Sequence, residues 1–146
     1  MVNLTSRILI GFVIALALIG FADSTFLLAK RMSGGPIPCF LGTGCDTVSK
    51  SPHSVFLGIP LAAYGIVFYL AIGLLALLYI DTKKVIFARL ILPVTALGFI
   101  SSAYFIYVQK FLIGAFCIYC IISAVISTIL FGFGIIIHRK LKMHHF

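Results

Sequence analysis

The chain is short of charge. Only 10% of its 146 residues are charged, and three of these are acidic: Asp23, Asp46 and Asp81. An ordinary soluble domain carries about 25% charged residues. Apolar residues make up 62% before the 13 glycines are counted, and mean hydropathy is +1.24. A soluble fold of this length has too little interior to hide that much apolar surface. A soluble globular enzyme and a disordered chain are both excluded. Nucleotide signatures are missing as well, with no G-x-G-x-x-G and no G-x-x-x-x-G-K-[ST]. The 11 lysines and arginines give a net charge of +8. They punctuate apolar runs instead of forming a basic stripe on a polar domain, so no nucleic-acid footprint exists. No segment alternates with period two, which excludes a closed β-barrel.

What is present is four long apolar runs. A hydrocarbon core needs about 20 apolar residues of helix, and backbone groups in lipid must be paired within the segment. The runs cover about 8–28, 55–80, 85–107 and 116–137. Arg7 precedes the first, with Lys30 and Arg31 after it. Ser51, Pro52 and His53 precede the second and Asp81 follows it. Lys83 and Lys84 precede the third, and Gln109 and Lys110 follow it. His138, Arg139, Lys140 and Lys142 close the fourth. The expected fold is all-α: a transmembrane four-helix bundle forming one integral-membrane domain over 1–146.

Four spans put the N-terminus, residues 81–84 and the C-terminal tail on one side. Arg7, Lys83, Lys84, Arg89, Arg139, Lys140 and Lys142 lie there, seven of the 11 cations. The positive-inside rule assigns that side to the cytoplasm of a cell membrane. His138, His144 and His145 read as part of the same basic tail. The first run exceeds the 7–15 residues of a signal-peptide core, and Asp23 stands where cleavage needs small neutral residues, so it reads as a span.

Cys39, Cys45, Cys117 and Cys120 all fall on the opposite side, where disulfides form and persist. Cys117-Ile118-Tyr119-Cys120 is a C-x-x-C at the opening turn of a helix. Positions i and i+3 share a face about 5–6 Å apart, compatible with a disulfide. Helix N–H groups favour a thiolate there. Cys39 and Cys45 enclose Gly42 and Gly44, which let a short loop open and close cheaply. Pro36 and Pro38 deny that loop helical continuation. Three readings fit these spacings: a redox relay between two pairs, structural staples, or a metal site of four thiolates. The C-x5-C spacing is wider than the usual C-x2–4-C of zinc ligands.

Other residues carry weaker signals. Asp23 lies roughly 22 Å along the first span. It either relays protons or bonds to loop backbone or a neighbouring helix. Ser123 and Ser127 are spaced for close helix packing. Phe56, Tyr64, Tyr104 and Tyr119 either line a pocket or belong to packing and the interfacial belt.

Several segments together carry a family resemblance. Cys45-Asp46-Thr47-Val48-Ser49-Lys50-Ser51, then Val55-Phe56-Leu57-Gly58-Ile59-Pro60 and Gly65, resemble the vitamin K epoxide reductase family. So do Asp23-Ser24 and Gly114-Ala115-Phe116-Cys117-Ile118-Tyr119-Cys120. The resemblance covers nearly the whole chain, with the motifs in the family's order. It implies a bundle around a quinone (ubiquinone or menaquinone), capped by the non-cytoplasmic loop with a short half-helix near Cys45. Cys39 and Cys45 would trade electrons with a thioredoxin-like (DsbA-like) protein. Cys45 would attack Cys117 through a mixed disulfide, and Cys120 would contact the quinone. Ser51 matches a position beside the quinone ring, and Phe56 is a further candidate there.

Leu61 and Ala124 stand where the animal enzymes carry an Asn and a Tyr tied to vitamin K recognition. This points to the microbial branch, which reduces quinones while oxidising exported thiols. The chain's end at Phe146 implies that the partner is a separate protein. The other four-helix, four-cysteine class, DsbB-like, has its cysteine pairs in the reverse order. A non-enzymatic membrane subunit with stapled loops is the alternative from another class.

Overall fold

A computed structural model describes residues 4–39 and 44–144. Gly42, part of the expected loop, and His145 of the tail lie outside the described residues. The four long helices are α1 (Leu4–Ser33), α3 (Leu61–Thr82), α4 (Val85–Val108) and α5 (Ile118–His144). A seven-residue helix, α2 (Gly44–Lys50), and a 3-10 turn (Pro52–Ser54) lie between α1 and α3. Each long helix is apolar enough to cross a membrane, and the chain is a multi-pass membrane protein.

The second run behaves differently from expectation at its start. The helix begins at Leu61, not Val55. Residues 55–60 form a two-stranded antiparallel hairpin, β1 (Val55–Phe56) and β2 (Ile59–Pro60), pairing Val55 with Pro60 and Phe56 with Ile59. Leu57 and Gly58 both have positive φ, the conformation of a tight two-residue hairpin turn. Pro60 lacks an N–H and sits outside the helix as its N-cap. The apolar character of 55–60 suggested helix; Gly58 and Pro60 decide otherwise.

The long helices close into a ring in which α1 packs on α3, α3 on α4, α4 on α5, and α5 on α1. Small residues permit the closest approaches. Gly20 of α1 faces the ring of Tyr69 on α3, and Gly65 of α3 faces Ser24 of α1, where a Cβ would stand 2.6 Å from the Ser24 oxygen. Tyr69 is held at its other end by α5: its hydroxyl shares a 2.7 Å hydrogen bond with the Ser123 hydroxyl and donates to the Ser123 carbonyl at 3.1 Å. Ser123 and Ser127 thus serve as polar partners of a buried tyrosine, a more specific use than small packing residues.

Two cores result. The middle of the bundle buries Ile10, Val13, Ile72, Ile91 and Leu130. The second surrounds the cysteines, with Leu27, Ile37, Cys45, Val48 and Cys117 at its centre.

Because Tyr69 is fixed from both sides, it cannot yield to a new methyl group on α1. Gly20→Ala is expected to lower stability by about 1–3 kcal/mol. Thermal unfolding in detergent, with Gly11→Ala as the control in open space, checks this.

Candidate functional site: a buried cluster of four cysteines

The chain passes from α4 to α5 through a break. Residues Gln109–Ile113 widen into a π-helical turn, closed by Gly114 at φ 73°, which a side chain would strain. The Gln109 carbonyl accepts from Gly114 N–H at 2.9 Å and Ala115 N–H at 3.2 Å. The Gln109 side chain, fully buried, reaches across the break, and its Oε1 accepts from the backbone N–H of Cys117 at 3.1 Å. One residue thus satisfies three amides that a helix break would otherwise leave unpaired. Sequence reasoning used Gln109 only as a span boundary; the eight-residue gap to Cys117 carries no periodic signal.

Cys117 immediately precedes α5, and its carbonyl accepts from Ile121 N–H at 3.0 Å. Cys120 follows one turn later. The C-x-x-C therefore occupies an opening helical turn, with both sulfurs present as thiols. Cys117 lies outside the membrane-spanning part of α5. The Cys120 thiol donates to its sulfur and lowers its pKa to about 7. Burial opposes this, and the N–H groups of Cys120 and Tyr119 assist it.

The loop pair sits directly over this turn. Cys39 and Cys45 form a disulfide with Cα atoms 5.9 Å apart. Cys45 is in the first turn of α2, which packs on both the π-helical turn and α5. Gly44 makes this contact possible: a Cβ there would run into the Phe116 backbone carbonyl. Its role is close backbone approach, more than the loop freedom expected of it. Three ties hold the assembly. The Tyr119 hydroxyl donates to the Pro38 carbonyl at 2.9 Å. Phe26 stacks at a tilt on Tyr119, ring centroids 5.2 Å apart. Arg31 donates to the Ser49 carbonyl at the C-terminal end of α2 and to the Ser54 hydroxyl at 2.8 Å.

All four cysteines thus meet in one cluster. Cys45 and Cys117 have no exposure, while Cys39 and Cys120 are half-buried. Asp23 lies near enough for its charge to act on Cys117, Cys120 and Tyr69, and its Oδ2 is buried without a hydrogen-bond partner among the described residues. The other two candidates stand apart. The Ser51 hydroxyl accepts from His53 N–H at 3.2 Å, capping the 3-10 turn. Phe56 is 60% exposed on the hairpin, its ring edge-on to Tyr64, and it does not join the cysteine cluster.

Two outcomes follow from this geometry. With the loop disulfide intact and the C-x-x-C reduced, thiolate ultraviolet absorbance should rise with a midpoint near pH 7, against about 8.5 for a free cysteine. Gly44→Ala should push α2 off the Phe116 carbonyl. Formation of a Cys45–Cys117 cross-link in a Cys39→Ala, Cys120→Ala background should then slow by about tenfold or more, measured by mass spectrometry.

Comparison with known proteins agrees with this layout. The chain is 31% identical over 117 residues to the thiol-disulfide oxidoreductase LTO1 of Arabidopsis thaliana, a match covering 75% of this chain and 31% of that protein. The chain thus spans about a third of the length of this curated relative. The model of the vitamin K epoxide reductase family matches residues 12–135, a stretch that runs from α1 to α5 and includes all four cysteines, and the chain belongs to that family.

Proposed function

We propose that the protein oxidises the dithiol of a thioredoxin-like partner and passes the electron pair through its two cysteine pairs to a membrane quinone, supporting disulfide formation in exported proteins. The family makes the chain an oxidoreductase, and LTO1 is named for thiol–disulfide chemistry. The observation that carries the proposal is the burial order of the four sulfurs. The half-buried Cys39 offers an entry, the sealed Cys45 and Cys117 a protected middle, and the half-buried Cys120 an exit.

Each exchange at sulfur balances internally. A partner thiolate attacks Cys39, the Cys39–Cys45 bond breaks, and the pair leaves on Cys45. The partner's second thiolate then releases Cys39, and the partner departs oxidised. Cys45 attacks Cys117, and the electron pair of the broken Cys117–Cys120 bond leaves on Cys120. Cys39 then attacks Cys45, re-forming the loop disulfide and freeing Cys117. The outcome is an oxidised loop pair above a reduced C-x-x-C, the pairing described above.

A quinone supplies an acceptor for two electrons and two protons that moves within the lipid. The surroundings of Cys120 suit it: a half-buried thiol at the head of a lipid-crossing helix, with an unpaired carboxylate oxygen on Asp23 nearby to hold a proton. Ser51 and Phe56 are assigned to the edge of that site on the resemblance. In this reading the cysteines face the non-cytoplasmic side of a cell membrane, with seven of the 11 Lys and Arg residues opposite.

The test is anaerobic turnover of purified protein with a reduced thioredoxin-like oxidoreductase and ubiquinone or menaquinone, following quinone absorbance. Wild type should reduce quinone, and Cys39→Ala and Cys120→Ala should not. A small dithiol should restore electron entry to Cys39→Ala, since it can reach past the shuttle pair. A folded wild type that reduces neither quinone would leave a membrane subunit with structural disulfides as the surviving reading.

A further inference from the structure

Gln109 has more hydrogen-bonding capacity than its structural role uses. Its Oε1 accepts from the Cys117 amide, and a backbone N–H can be matched only by the oxygen of a carboxamide, which fixes the orientation of the group. Nε2 is thereby committed as a donor. It is buried and has no partner among the described residues. An unpaired buried donor is destabilising. A residue serving only to tie down the Cys117 amide would not need one.

The surroundings restrict what this donor can meet. Gln109 itself is fully buried. Nε2 shares a carbon with the oxygen that touches the Cys117 amide, so it sits within a carboxamide's width of that residue. The π-helical turn carrying Gln109 packs against α2, which carries Cys45. The apolar members of the cysteine cluster, among them Val48, Ile113 and Ala115, offer no side-chain acceptor. Asp23 Oδ2, the other unpaired acceptor near Cys117, belongs to α1. Sulfur, by contrast, is carried by the residue that Gln109 touches and by the helix its turn packs on, and a thiolate is a far better acceptor than a thiol or a disulfide.

We propose that Gln109 is a positioning residue for the exchange between the two cysteine pairs: Oε1 fixes the Cys117 backbone, and Nε2–H stabilises the Cys117 sulfur when it becomes anionic. This rests on the relay reading of the four cysteines. The step concerned is the release of Cys117. The Cys39 thiolate attacks Cys45, the Cys39–Cys45 bond forms, the Cys45–Cys117 bond breaks, and the electron pair leaves on Cys117. A donor at that sulfur makes Cys117 the better leaving group and draws the exchange toward the oxidised loop pair above a reduced C-x-x-C. Without it, the chain dwells as the Cys45–Cys117 mixed disulfide.

The experiment isolates this equilibrium from quinone and partner. In full-length Cys120→Ala protein, three cysteines share one disulfide, either Cys39–Cys45 with Cys117 free or Cys45–Cys117 with Cys39 free. The two forms are counted by mass spectrometry after acid quenching and alkylation, with Gln109, Gln109→Leu or Gln109→Glu. At about pH 8.5, where an ordinary cysteine is half ionised, both substitutions should raise the Cys45–Cys117 share about tenfold. Gln109→Glu retains an oxygen for the Cys117 amide and guards against a variant that merely misfolds. Exchange needs a thiolate, so the partition is read at about pH 7 and above, where the ionised carboxyl accepts without donating and the Gln109→Glu excess should persist. A Gln109→Glu partition equal to that of Gln109 at every pH would overturn the proposal and leave Gln109 as a backbone tie. The partition is readable whether or not the wild type reduces quinone, so failure of the relay reading and failure of the Gln109 assignment are separate results.

Discussion

A chain that turns within a packed part of a protein must keep its backbone amides paired, because a buried amide left without a partner is costly. The passage from α4 to α5 meets that demand with a single residue, and the thiol end of the molecule is built around the solution. The carbonyl of Gln109 takes two amides and its side chain a third. The third belongs to Cys117, so the same bond that makes the break tolerable also sets where the C-x-x-C begins. Were α4 to continue unbroken, Cys117 would have no helix start to occupy. The π-helical widening is thus the means by which a lipid-crossing bundle acquires a helix terminus that carries two thiols.

The remaining contacts of the cap can be understood as consequences. Once Cys117 is placed, α2 must come close enough to bring Cys45 to it, and Gly44 removes the one side chain in the way. Arg31 then holds the far end of α2, placing a cation where the helix dipole is negative. The middle of the bundle obeys the same economy of approach, with Gly20 and Gly65 admitting Tyr69 and Ser24. Tyr69 in turn commits its hydroxyl to Ser123 and Ser127 instead of leaving it orphaned among apolar neighbours.

Much of this was legible in the sequence, and for a physical reason. Hydrophobic length is a coarse signal that survives without any structure, so the four membrane helices could be read directly, and the cysteines could be assigned to one end by counting crossings. The C-x-x-C could be placed at a helix start because the apolar run begins beside it. What escaped depends on geometry without a period. Gln109 acts over eight residues through a non-repeating turn. Leu57 and Gly58 form a hairpin inside what reads as one apolar stretch, although Gly58 and Pro60 were the markers of it. Ser51 has a local duty as a cap that no spacing reveals, and the proximity of Asp23 to the thiols depends on how α1 is rotated within the bundle.

The bond from Tyr119 to the Pro38 carbonyl has a bearing on timing. Tyr119 lies inside the C-x-x-C, and Pro38 is the neighbour of Cys39, so the segment carrying Cys39 is latched to the C-x-x-C. A net hydrogen bond of about 0.5–1.5 kcal/mol biases such a latch toward its closed position roughly two- to twelvefold. That is strong enough to favour the closed position and weak enough that this bond alone does not lock it. The latch therefore acts as a population setting for the segment beside Cys39, which this bond leaves open a modest fraction of the time.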